Sequence, residues 1–302
     1  MYDTDSKMNK DIQWHPAFVV ALQALLIDYK DELDYRLEHP LTTGSLSIDM
    51  LVIKKRPDVV IKRQIAEIFR LDNIVEYKSP TDYLSVNEFH KSFARLHLYA
   101  ALTEEADITG MTLSFVVASY PRELFRHLRE TLGYVVEERH PGVFDVVGAM
   151  IPIQIIHTVK LSDEENLWLR NLNRDLSEEN LLWAHNVGQE YGSRLDLNAW
   201  LQAVFAANHK AIEEIFSKEE KRMLTAEFCE TIEKIGLGEK WRQEGRQEGR
   251  QEGRLEGRLE DAKAMFAEGD SLEKIARVTR LSLEMLKERL VNNAPGTTPV
   301  RS

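Results

Sequence analysis

Two short apolar runs, residues 46–54 (LSIDMLVIK) and 74–78 (IVEYK), constrain this chain more than any other feature: each has the β-branched composition of a buried strand, yet carries a carboxylate near its centre. An ionised carboxylate in apolar surroundings is costly unless it is paired or ligates a cation, so Asp49 and Glu76 need partners. Side chains on a strand alternate, which puts Glu76 and Lys78 on one face and Tyr77 on the other. Two carboxylates and a lysine can hold a divalent cation and position a water for in-line attack on a phosphodiester, with the Tyr77 carbonyl as a further hard oxygen ligand. The competing reading is an ordinary half-buried ion-pair group, since Glu-x-Lys by itself is a common pattern.

The pattern around these runs alternates between helix and strand. Pro16, followed by Phe18, Val19, Leu22, Leu25 and Leu26, predicts an amphipathic helix ending near Tyr29. Leu33, Tyr35 and Leu37 alternate with charged residues, and a turn over 40–45 joins them to 46–54 as a hairpin. Asp58 reads as the N-cap of a helix over 59–69, and Ser79-Pro80 ends the 74–78 strand. Apolar residues at 86, 89, 93, 96 and 100 predict a helix over 86–102. A strand over 112–119, a helix from Pro121 to Leu132, and strands over 134–138, 143–147 and 151–159 follow. The expected fold class is α/β: a mixed β-sheet core flanked by helices, over residues 1–160, followed by an all-α C-terminal region.

Beyond residue 160 the spacing is helical to about residue 240, with Trp168, Trp183 and Trp200 on three- and four-residue repeats. Residues 241–260 (WRQEGRQEGRQEGRLEGRLE) are a tetrad repeat with Gly245, Gly249, Gly253 and Gly257 in register. As a helix it stacks like residues into stripes, and each glycine costs about 1 kcal/mol relative to alanine. Two copies packed on the glycine stripe would pair the Arg and Glu stripes between chains, which makes a homodimer through 241–260 one expectation and a flexible charged linker the other. Residues 261–291 scan as a small helix-turn-helix-like module with Ser271 and Ser282 as N-caps, suited to DNA reading or to helical packing and assembly. The tail 292–302 reads as disordered.

A net charge of −11 argues against a protein that coats nucleic acid non-specifically. Locally the balance reverses: residues 54–70 hold six basic side chains (Lys54, Lys55, Arg56, Lys62, Arg63, Arg70) against Asp58 and Glu67. Lys54, Lys55, Lys62, Arg63 and, on the 86–102 helix, Lys91 are candidate phosphate contacts, with a solvated face as the other reading. His15 and His90 have no partner in sequence and read as surface or capping residues. One cysteine, Cys229, and a polar N-terminus without a signal-peptide core predict a cytoplasmic setting.

The stretch from His15 to Ala100, with SIDMLVIKK, NIVEYKSP and the helix after them, resembles the PD-(D/E)XK nuclease superfamily, in particular the bacterial recombination-promoting nuclease and transposase-like group, as do the EGR tetrads. The resemblance implies a restriction-endonuclease-like core in which Asp49 and Glu76 bind Mg2+, with Mn2+ able to substitute, and Lys78 orients or activates the attacking water. It implies a metal-dependent DNA endonuclease of low sequence preference, with RNA as an alternative substrate and strand transfer as an alternative reaction. A catalytically decayed fold that binds DNA or protein is the non-enzymatic alternative. Ile48 stands where the motif has its proline, and a further carboxylate from the first helix would be Asp28, Asp31 or Glu32.

Overall fold

The computed structural model describes residues 12–36, 39–40, 47–48, 51–104, 106–191, 194–217 and 229–291. Asp49 and the 292–302 tail lie outside the described residues. Two compact units divide the chain, residues 1–235 and 236–302.

The first unit is built on a seven-stranded mixed sheet of order β1-β4-β5-β6-β9-β8-β7. Its strands are β1 (Leu33–Arg36), β4 (Leu51–Lys55), β5 (Asp72–Lys78), β6 (Met111–Val117), β7 (Val135–His140), β8 (Val143–Val147) and β9 (Ile153–His157). A separate two-stranded ladder pairs β2 (His39–Pro40) with β3 (Ser47–Ile48). Strands β5, β6 and β9 run parallel, and the remaining pairs of the large sheet are antiparallel. The expected hairpin is present as β1 against β4 and β2 against β3. The 46–54 strand, expected to be continuous, is described as the two pieces β3 and β4.

One face of the sheet is covered by α2 (Val86–Leu102) and α3 (Arg122–Glu130). Phe89, Leu96, Tyr99, Leu124, Phe125 and Leu128 of these helices close over Ile74, Leu113, Phe115, Val117 and Ile155. On the other face α1 (Trp14–Leu25) stacks Phe18 on Tyr77, ring centroids 4.4 Å apart and nearly parallel. Helix α1 packs in turn against α4 (Asp163–Arg170) and α6 (Asn198–Ala207), so the helices that follow the sheet belong to the same compact unit. With α5 (Glu178–Tyr191) and α7 (His209–Ser217) they enclose a cluster of Trp168, Trp183, Trp200 and Tyr191, in which the Trp200 indole donates to the Trp168 carbonyl at 3.1 Å.

The helix expected over 59–69 is absent: the segment runs irregularly with a single 3-10 turn at Gln64–Ala66. The sequence Val59-Val60-Ile61 disfavours helix at its start. Tertiary bonds then outweigh an intrahelical ladder, because the Lys55 ammonium donates to the Val59 carbonyl at 2.7 Å and buried Gln154 donates to the Ile65 carbonyl. Gly142 makes the β7–β8 turn with φ +79°, and a Cβ there would come within 2.7 Å of the His157 carbonyl oxygen. Only glycine combines that left-handed backbone with that close approach.

In the second unit the whole tetrad repeat is helical, within α8 (Leu237–Ala267), followed by α9 (Leu272–Thr279) and α10 (Leu283–Leu286). The Ser271 and Ser282 hydroxyls cap the last two, accepting from the Lys274 and Met285 backbone N–H. A small core of Ala262, Ile275, Leu281, Leu286 and Leu290 gathers against Leu255 and Leu259. Leu255 and Leu259 are the repeat's share of that packing, and a Cβ added at Gly245, Gly249, Gly253 or Gly257 meets no atom within 4 Å. In the single chain, alanine at these four positions should raise stability by about 1 kcal/mol each, read as a higher thermal midpoint of the helical circular dichroism signal, whereas two chains packed on the glycine stripe would lose stability with the same substitutions.

Candidate functional site

Strand β5 is hydrogen-bonded on both edges and buried on both faces, and Glu76 sits in it opposite Phe115 of β6 with only 3% of its surface exposed. Residues 74, 76 and 78 point toward α2, as the alternation predicts, and Tyr77 points the other way onto Phe18. Ser79 and Asp82 close a tight turn after the strand: the Asp82 N–H donates to the Ser79 carbonyl and the Ser79 hydroxyl to the Asp82 carboxylate. That turn brings in α2, whose N-cap Ser85 accepts from the Glu88 N–H at 3.2 Å.

A chain of alternating charge results. The Lys78 ammonium lies 2.9 Å from Glu76 Oε1 and 2.9 Å from Glu88 Oε2, and Lys91 reaches Glu88 Oε1 at 2.7 Å. Arg95, one turn further along α2, stands 3.5 Å from Glu76 Oε2. That separation lacks hydrogen-bond geometry, and Glu76 Oε2 is a buried oxygen with no hydrogen-bond partner among the described residues. Burial alone would lower the Lys78 ammonium, but Glu76 and Glu88 outweigh it and hold the group above its ordinary value. Lys78 is therefore protonated at neutral pH and acts as a fixed positive charge and donor. Hydrogen bonds from Lys91 and Lys78 push Glu88 down to about 2. Burial raises the Tyr77 phenol well above its ordinary range.

Two other buried polar groups of β5 give a contrast. Asn73 makes four hydrogen bonds, accepting from the Arg70 N–H and the Thr112 hydroxyl and donating to the Ile53 and Arg70 carbonyls. Asp72 accepts from the Tyr99 hydroxyl at 3.2 Å and pairs with Lys54 at 3.4 Å. The buried oxygens of the strand left without a hydrogen-bond partner among the described residues are Glu76 Oε2, on the face toward α2, and the Tyr77 hydroxyl, on the other.

Other expected site residues are distributed differently. Of the acidic candidates after α1, Asp28 holds Arg63 at 2.8 Å, and the Glu32 carbonyl accepts from the Arg56 N–H. Among the basic candidates, Lys54, Lys55, Arg63 and Lys91 are engaged by their own chain, while Lys62 is exposed. Arg95 and Glu88 were not singled out from the sequence. Their spacing of seven on one helix, with Lys91 between them, was the available signal. Among the described residues no group of three His, Cys, Asp or Glu side chains is placed to hold a metal ion. Nor is any helix among them long and apolar enough to cross a membrane.

No protein-family model, curated protein or solved structure matches this chain.

Lys78→Ala would leave Glu76 with Arg95 alone and should destabilise the protein by about 3 kcal/mol, the scale of a broken buried ion pair. Arg95→Ala, at longer range and partly exposed, should cost about 1 kcal/mol or less. Urea unfolding midpoints would check the order. The Glu88 carboxylate has its folded value lowered from about 4.5 to about 2, so its bonds stabilise the fold fully above the higher value and are lost as pH falls toward the lower. Glu88→Gln should therefore reduce the acid sensitivity of stability between those two values, read from urea titrations at stepped pH.

Proposed function

We propose that this protein is a metal-dependent phosphodiesterase acting on nucleic acid, a DNA endonuclease of low sequence preference, with Asp49, Glu76 and Lys78 as its catalytic residues and a restriction-endonuclease-like core. The observation that carries the reading is the buried Glu76 carboxylate, one oxygen held by Lys78 and the other without a hydrogen-bond donor among the described residues. Three further features support it: a mixed sheet flanked by helices, Glu76 and Lys78 on one face of a central strand, and the SIDMLVIKK and NIVEYKSP motifs. Mg2+, or Mn2+ in its place, would be held by Asp49, Glu76 and the Tyr77 carbonyl oxygen, and would neutralise charge on the phosphoryl oxygens. Lys78, kept protonated by Glu76 and Glu88, donates to and orients the attacking water. Glu88 and Lys91 position Lys78, and the surrounding apolar core of Phe89 and Phe115 keeps bulk water from its inner side.

Arg95 favours a second reading. A guanidinium already beside Glu76 Oε2 neutralises the carboxylate without a metal, as expected of a nuclease fold that has lost catalysis and binds DNA or protein. The two readings separate on one gel. Wild type with supercoiled plasmid and Mg2+ or Mn2+ should yield nicked circles, with none in EDTA and none from Asp49→Ala or Glu76→Gln. Inactive wild type that retains DNA binding in EDTA would establish the second reading instead. The same proposal includes a homodimer through residues 241–260, supported by the bare glycine stripe of α8; light scattering that finds a monomer with the repeat intact overturns that part.

A further inference from the structure

His90 lies on α2 and His127 on α3, and the two helices bring their Nε2 atoms to 3.3 Å from each other. The rings stand nearly perpendicular, with centroids 5.4 Å apart. Two imidazole nitrogens bound to one tetrahedral zinc at about 2.0–2.1 Å are separated by roughly 3.3 Å, the edge of that tetrahedron. We propose that His90 and His127 form a surface binding site for a borderline divalent cation of the Zn2+ class, apart from the Glu76 carboxylate and independent of any activity there.

The positions are set by the core rather than by the histidines themselves. Phe89 beside His90, and Leu124 and Leu128 on either side of His127, are each buried to within a few per cent. Helix α3 is only nine residues long, yet these anchors fix its rotation against α2. Little reorganisation is then needed for a cation to bridge the two nitrogens. In its absence the pair can share one N–H···N hydrogen bond, which in a partly exposed setting contributes little, because water competes for both nitrogens. His90 is exposed and His127 half-buried, so an ion can enter from solvent.

The chemistry of the donors selects the ion. Imidazole nitrogen suits Zn2+, Ni2+ and Cu2+ and is a poor match for Mg2+, which takes hard oxygen ligands. Two protein nitrogens leave the remaining coordination positions to water or to an exchangeable ligand, as in an open site and unlike a closed structural one.

The test uses the full chain, stripped with chelator, and Co2+ and Zn2+ as probes. Wild type should take up Co2+ with the visible d–d bands of a low-coordinate nitrogen site, and Zn2+ should displace it. His90→Gln and His127→Gln should each lose that spectrum while keeping the wild-type far-ultraviolet circular dichroism. As a readout that needs no substitution, Zn2+ titration should shift the Nε2 resonances of two histidines together in long-range nitrogen–proton correlation spectra. Retention of the Co2+ bands in both single variants, or no paired Nε2 shift in the wild type, overturns the proposal.

Discussion

Burial of β5 on both faces is the constraint from which much of the first unit follows. A strand with partners on both edges and helices on both sides has little access to water before its last residue, yet this one carries Asp72, Asn73 and Glu76 within five residues. Each of those groups dictates what its neighbours must be. Asn73 recruits Thr112 and the backbone of Arg70 and Ile53, which ties β4, β5, β6 and the loop before β5 into one network. Asp72 recruits Lys54 from β4 and Tyr99 from α2, and in return burial, then the nearby Asp72 charge, pushes the Tyr99 phenol up to about 12. Leaving any of these unpaired would cost more than the hydrogen bond itself contributes.

Glu76 is solved less completely, and the difference is informative. Its charge is balanced by Lys78 and Arg95, but one oxygen has no donor among the described residues, whereas Asn73 on the same strand makes four hydrogen bonds. Glu76 Oε2 shares that state with other buried polar atoms, the Tyr77 hydroxyl among them, but is distinguished by its charge and its two cationic neighbours. The alternating row Arg95, Glu76, Lys78, Glu88, Lys91 also explains why the lysine is held charged: it sits between two carboxylates, and neither can be removed without altering it.

A comparable network holds the irregular segment between β4 and β5. Arg139 reaches Glu67, Gln154 and Asp145, while the His140 Nε2–H donates to the other Glu67 oxygen. Burial alone would raise the Glu67 carboxyl, yet His140 and Arg139 hold it below its ordinary value, whereas burial wins at Asp145 and raises it. These contacts span about seventy residues of sequence. They replace the helix that the residues after Asp58 suggest locally, and they hold Ile61, Ile65 and Phe69 against the sheet without one.

The amino-acid sequence by itself determined the elements whose signal is local: helix Val86–Leu102 to the residue, the strand Val143–Val147, the serine caps at 271 and 282, the helical spacing beyond residue 160, and the shared face of Glu76 and Lys78. Periodicity, capping and strand alternation act over a few residues, so they can be read there. Tertiary structure decided what depends on distant partners. It sent residues 59–69 along an irregular path, set Arg95 beside Glu76, and paired Asp28 with Arg63. His90, which has no partner in sequence, acquired His127 from a helix thirty-seven positions away. Sheet order and helix docking bring such groups together because the core must close on both faces of β5, and no short window of sequence carries that requirement.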